Sequence, residues 1–243
     1  MDLLLSIKNI LKKLIRRTGY ELVPAKPKGL GYLSAASVLK EIREKNITLN
    51  RYLENLWGMD TSSHRVLSQI EIIPGPSTIV EIGAGTGMFT GKFIDAIGQN
   101  NIKKYQVYET DKGWAGYLNQ SFDINVENAN GYSLPATETA SCDIVHAHGV
   151  YVYTSFMTTV SYLREMLRVA STRSIIIFDV FDESCFDDDT ISAWIESEDL
   201  YPNIIPESYL KDLFTKHNFE IRKTFYAPFG KGRSRYYVFH RIS

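Results

Sequence analysis

The stretch T78-I-V-E-I-G-A-G-T-G-M-F89 decides the fold. A continuous apolar run ends in three glycines at alternate positions, Gly83, Gly85 and Gly87, and an amphipathic segment begins at once behind them. An apolar run without period-two alternation suits a strand buried on both faces. A glycine-rich turn that opens a helix brings free backbone N–H groups and the positive end of a helix dipole to one point. The same alternation continues downstream. Residues 104–109, 124–129, 142–148 and 174–181 read as strands, and residues 87–98, 113–120 and 155–170 read as helices. After a helical stretch near 206–217, residues 219–227 and 234–242 read as two strands joined by the turn 228–233. The expectation is an α/β fold: a seven-stranded, mostly parallel sheet with helices on both faces, closed by an antiparallel C-terminal hairpin.

The loop could cradle several ligands, and its spacing removes one class. A dinucleotide fingerprint needs its third glycine at position 88, where this chain has Met88. Read with its companions, V80-E-I-G-A-G-T-G87 resembles the first motif of the class I S-adenosylmethionine-dependent methyltransferases. Residues 107–118 (VYETDKGWAGYL) resemble the second motif, in which a carboxylate ending strand two binds both ribose hydroxyls. Residues 126–135 (VENANGYSLP) resemble the adenine-binding turn, and residues 143–153 (DIVHAHGVYVY) resemble the fourth-strand motif that faces the transferred methyl. Residues 162–180 resemble the helix and strand that follow, with A170-S-T-R-S174 in place of the usual Pro-Gly-Gly turn. The resemblance covers residues 76–181 well and the hairpin loosely, while residues 1–70 carry none of its motifs.

That resemblance implies S-adenosylmethionine as cofactor, with Glu81, Gly83, Ala84, Gly85, Gly87, Glu109, Asp111, Trp114, Asn130, Gly131 and His146 at its site. Glycines let the backbone approach the methionine moiety with no Cβ in the way. Glu81 is placed to orient the loop or to meet the cationic amino group. Glu109 can accept two hydroxyl hydrogen bonds at once, and Asp111 is its rival because strand ends shift by a residue or two. Asn130 stands where an acid is common and offers a carbonyl oxygen to the adenine amino group, with an asparagine-glycine turn as the plain alternative. Trp114 either covers the adenine or packs in the core.

Methyl transfer is an in-line displacement, so a base is needed only where the nucleophile must lose a proton. His148 stands where amide and adenine methyltransferases carry the asparagine of an Asn-Pro-Pro-Tyr motif, and a neutral imidazole can take a hydroxyl proton near pH 7. The expectation is O-methylation of a sugar or related hydroxyl with His148 as base. N-methylation of a small amine or protein side chain stands as the alternative, as does a non-catalytic cofactor-binding subunit. Tyr151 and Tyr153 either wall the substrate or belong to the core. Arg233, in the basic turn G230-K-G-R-S-R235, either meets an anionic group or is solvated. The acidic stretch Asp179, Asp182, Glu183 and Asp187–Asp189 has no fixed ligand spacing, so a solvated loop or helix cap is expected there and no metal.

The chain has 243 residues, 44% of them hydrophobic, enough for one core with an appendage. A net charge of −1 gives no global field for nucleic acid, and Cys142 and Cys185 lack zinc or redox spacing. Three segments follow: a basic amphipathic helix and linker over 1–28, a helical lid or extension over 29–74, and a methyltransferase domain over 75–243. In residues 1–17, Leu3, Leu4, Ile7, Ile10, Leu11, Leu14 and Ile15 oppose Lys8, Lys12, Lys13, Arg16 and Arg17. Such a helix packs on its own domain or on a partner subunit, a second copy included, or docks on an anionic membrane surface. Its apolar stretch is too interrupted for a span or a signal peptide, so a cytoplasmic protein is expected, with the inner membrane face as a peripheral site.

Overall fold

The computed structural model describes residues 33–57, 66–70, 77–196 and 203–242. The expected basic helix over 1–17 and its linker to residue 28 lie outside them. Chain order is α1 (Ala35–Lys45), α2 (Leu49–Trp57), β1 (Ser77–Ile82), α3 (Met88–Ile97), β2 (Ile102–Glu109), α4 (Lys112–Ser121), β3 (Asn125–Asn128), β4 (Cys142–Ala147), α5 (Phe156–Val169), β5 (Ala170–Val180), α6 (Asp188–Glu196), α7 (Glu207–Thr215), β6 (Phe219–Phe229) and β7 (Gly232–Arg241). The seven strands form one sheet in the order β3-β2-β1-β4-β5-β7-β6. The first five are parallel, and β7 runs antiparallel to both β5 and β6. The expected fold is therefore present.

This order places the site. From β1 the chain winds outward to β2 and β3, then returns across β1 to β4 and β5, so the direction of winding reverses between β1 and β4. Ligands of open α/β sheets bind in the crevice at that reversal, beyond the carboxyl ends of the strands. Here that edge carries the glycine turn after β1, Glu109 at the end of β2, and His148 just past β4.

Strand residues alternate between two cores because successive side chains point to opposite faces. Ile79, Val107, Ile144, Ile177 and Val238 meet Phe93 and Ile97 of α3 and Leu118 of α4. Val80, Tyr108, Val145, Phe178 and Phe239 meet Leu163 and Met166 of α5 and Leu210 and Phe214 of α7. A third cluster joins α1 and α2 to the domain through Ala35, Val38, Leu49 and Leu53 packed on Trp114. Helix α1 stops at Asn46, whose left-handed backbone (φ 49°) is one that asparagine tolerates, and α2 restarts behind Thr48, whose Oγ accepts from Arg51 N at 3.2 Å.

Two boundaries differ from the sequence expectation. Strand β5 begins at Ala170, directly behind α5, because Ala170 pairs with Cys142 across an irregularity in the β4–β5 register. The hairpin turn is also far tighter than residues 228–233: Phe229 already pairs with Gly232. Its glycines have a packing reason, since a Cβ on Gly230 would collide with the Trp194 ring and one on Gly232 would fall 2.7 Å from Thr190.

Candidate functional site

Gly83, Gly85 and Gly87 all have positive φ, at 67°, 52° and 75°. A Cβ on Gly87 would sit 2.6 Å from the Phe122 ring, so that position must stay bare for the turn to rest on α4. Around Gly85 a Cβ would meet nothing within 4 Å among the described residues, which leaves room at the centre of the turn. Ala84, between Gly83 and Gly85, packs partly buried against the α3-side core.

Glu109 faces this turn. Its Oε2 accepts from Gly85 N at 2.7 Å and its Oε1 from Asp111 N at 2.7 Å. Each carboxylate oxygen can take a further hydrogen bond, so the group can serve two hydroxyls while still holding the loop. Burial raises its pKa, opposed by those backbone hydrogen bonds. Asp111 serves the next helix instead. Its Oδ1 accepts from Gly113 N at 2.8 Å and Trp114 N at 3.0 Å, which makes it the N-cap of α4.

Beneath the turn, Glu81 is 2% exposed, and its Oε2 accepts from Thr90 Oγ1 at 2.6 Å and Tyr105 OH at 2.8 Å. Tyr105 also lies 3.0 Å from Nε2 of His146, the residue paired with Glu81 across β1 and β4. Because the single tyrosine proton goes to Glu81, His146 carries its hydrogen on Nε2 and leaves Nδ1 a bare acceptor, without a partner among the described residues. Burial pushes Glu81 up to about 7 and His146 down to about 3. His146 is fully buried and stacks on Phe93 at 4.1 Å, so it belongs to the core under the site.

His148 shares the sheet face of His146 but stands one step beyond the end of β4. Its ring stacks on Phe89 at 3.7 Å, Nδ1 lies 3.4 Å from Tyr236 OH, and the buried Nε2 has no hydrogen-bond partner among the described residues. Burial holds this imidazole well below 6.5, with His146 adding to the depression. The loop behind it is pinned by Asp179, whose Oδ1 accepts from Gly149 N at 2.7 Å.

Several expected site residues have other occupations. Asn130 folds its carbonyl onto Tyr132 N (3.0 Å) and Ser133 N (2.9 Å), the asparagine turn, while Gly131 supplies φ 87°. Replacing Asn130 with Ala is thus expected to cost about 1 kcal/mol of stability in denaturant unfolding and to change S-adenosylhomocysteine affinity less than about threefold in calorimetry. Trp114 is 2% exposed and donates from Nε1 to Leu33 O at 2.6 Å, so it anchors α1 in the core. Tyr151, 1% exposed, donates to Met166 Sδ and belongs to the α5-side core. Tyr153 is half-buried beside Phe229, 5.7 Å between rings. Arg233 is exposed, lies over the Tyr226 ring at 4.5 Å and donates to Ser184 O at 3.2 Å.

The acidic stretch is structural where it can be traced. Buried Asp182 accepts from Ser184 N, Arg235 and Tyr237, and Asp187 accepts from Thr190 N at 2.8 Å as α6 begins. Among the described residues no group of His, Cys, Asp and Glu could hold a metal ion, and no helix is long and apolar enough to cross a membrane. Sequence reading missed Phe89, Thr90, Tyr105 and Tyr236. Tyr105 and Tyr236 could have been found by strand parity, and Phe89 by its place two residues behind the last glycine.

No protein-family model matches this chain, and no curated protein sequence matches it. Solved structures do. The complex of the Haloferax volcanii Trm112 methyltransferase activator with a protein held to be a methyltransferase matches at TM-score 0.60 and 12% identity, over 86% of this chain and 94% of that one. An S-adenosylmethionine-dependent methyltransferase from Mesorhizobium loti matches at 0.55 and 10%, over 73% and 96%. One from Aquifex aeolicus matches at 0.51 and 13%, over 87% and 100%. The chain thus has the fold of the S-adenosylmethionine-dependent methyltransferases.

Proposed function

We propose that this chain transfers a methyl group from S-adenosylmethionine to a hydroxyl of a small uncharged acceptor, such as a sugar. The observation that carries the reading is the Glu109 carboxylate held 2.7 Å from the Gly85 amide, at the sheet's point of reversal, where no described residue crowds the Gly85 Cα. The donor set fits the cofactor: bare glycine backbone for the methionine part and a carboxylate for the ribose. When bound, the cofactor supplies an electrophilic methyl on a sulfonium. The protein's share is to orient, exclude water and accept a proton.

His148 is the group placed for the proton. With Tyr236 OH accepting from Nδ1–H, Nε2, buried beneath Phe89 and without a partner among the described residues, is the atom that would take the proton once Phe89 gives way to the acceptor. Its lowered proton affinity makes it a weak base, so proton transfer would come late and its contribution sits at the low end of general-base catalysis. The same weakness favours the second reading, methylation of an amine, which needs less help.

Release of S-adenosylhomocysteine with hydroxyl and amine acceptors separates the two. For a hydroxyl acceptor, His148→Ala is expected to lower kcat by about ten- to a hundredfold. The wild-type rate should stay flat from alkaline pH down through 6.5 and fall only in stronger acid, because a group with a depressed pKa remains unprotonated until then. Turnover of amines alone would sink the hydroxyl reading, and an unaltered rate in His148→Ala would remove the base.

A further inference from the structure

A row of side chains crosses the α3-side face of the sheet at its carboxyl edge. Strand β4 pairs His146 with Ile177 and Ala147 with Phe178, so the next residue, His148, stands level with Asp179 of β5. On the far side of β5, Asp179 pairs with Tyr236 of β7. Side chains two residues apart share a face, and Ile175, Ile177 and Tyr236 all enter the α3-side core, so Asp179 points the same way. It therefore lies between His148 and Tyr236, on the strand that their 3.4 Å contact spans.

Asp179 is 1% exposed, and its Oδ1 accepts from Gly149 N at 2.7 Å, which fixes the backbone directly behind His148. That bond needs no charge, because an amide oxygen would accept it too. Burial pushes the carboxyl up to about 6 from its ordinary 3.8, with the Gly149 N–H opposing, so in neutral solution the ionised group destabilises the fold. Such burdens gather at working sites.

Methyl transfer to a hydroxyl gives this charge a use. As the S–CH3 bond breaks and the O–CH3 bond forms, the hydroxyl proton goes to His148 Nε2, and the positive charge of the sulfonium reappears on the imidazole. An imidazolium stripped of water needs a counter-charge. Neighbouring strands lie about 4.8 Å apart, and at an effective dielectric of about 20 a unit charge at such range alters proton affinity by about tenfold or more. Tyr151 and Tyr236, held high by burial and then by this carboxylate, stay neutral, and burial holds His146 at about 3. His148 is thus the neighbour that gains charge.

We propose that Asp179 is the positioning residue of His148: it pins the base through Gly149 and supplies the negative charge that stabilises its imidazolium, a role that rests on the hydroxyl reading above. Asp179→Asn is tested in the full chain, alone and combined with His148→Ala, on a hydroxyl acceptor found by S-adenosylhomocysteine release. With His148 in place, kcat is expected to fall about tenfold or more, while KM and S-adenosylhomocysteine affinity change less than about threefold. In the His148→Ala background the same substitution should change the rate less than about twofold. Asp179→Asn should also raise the urea midpoint at pH 8.5, because the buried charge is gone.

An equal loss in both backgrounds, or a rate that ignores Asp179→Asn, would overturn the proposal. So would a lowered urea midpoint, which would make Asp179 a structural part of the fold. Absence of turnover with every hydroxyl acceptor is a separate result: it sinks the hydroxyl reading, and this role with it.

Discussion

Replacing Glu109 with Ala is expected to lower S-adenosylhomocysteine affinity by about two to four orders of magnitude, since each of two ribose hydrogen bonds to a charged group contributes about 1.5–3 kcal/mol. The loss has a second source. Gly85 N and Asp111 N, each 2.7 Å from a Glu109 oxygen, lose their acceptor, so the glycine turn also loses its fixed shape. Glu109→Gln separates the two contributions. Its amide oxygen keeps one backbone bond, but its NH2 faces a second N–H donor, so affinity should fall to an intermediate value while the fold persists by circular dichroism. Asp111→Asn is the control: asparagine caps a helix as well as aspartate does, and affinity should change less than about threefold. A large loss from Asp111→Asn with none from Glu109→Ala would exchange the roles of the two acids.

The strands were legible because each is an apolar run bounded by turn residues, and that pattern survives without knowledge of partners. The start of β5 was not, because Ala170 is in the sheet only by virtue of Cys142, far away in sequence. The short hairpin turn was hidden for the same reason: its glycines answer to Trp194 and Thr190 of a helix whose packing no local pattern reveals. Among the site residues, spacing gave the face but not the surroundings. That His146 and His148 point the same way follows from period two; that Phe93 and Phe89 lie over them and strip away their water does not. Asn130 and Trp114 illustrate a different limit. A side chain able to serve a ligand was equally able to serve its own backbone or core, and only the fold shows which use it is put to.

Substituting Glu81 with Gln should stabilise the protein in mild alkali by up to about 3 kcal/mol and leave it nearly unchanged in acid. The folded chain holds the Glu81 proton up to about 7, whereas the unfolded chain releases it near 4.5. Below 4.5 both states carry the proton. Between the two values only the folded state does, and this group's contribution shrinks as pH rises, until above 7 the full cost of a buried carboxylate is present. The amide oxygen of Gln can accept the same bonds from Thr90 and Tyr105 without that charge. Other buried groups also titrate: Asp179, pushed up to about 6, slopes in the same direction. His146 slopes the opposite way, because it stays neutral when folded and gains a proton on unfolding below 6.5. Those slopes are common to wild type and variant, so the difference between two urea titrations, at pH 5 and pH 8.5, isolates Glu81. A gain about three times larger at pH 8.5 than at pH 5 is expected, because at pH 5 the unfolded chain already releases most of this proton and about 1 kcal/mol of the cost is present. An equal loss at both would mean that the carboxylate is needed ionised for its hydrogen bonds, and that the cluster of Glu81, Tyr105 and His146 holds no exchangeable proton in this range.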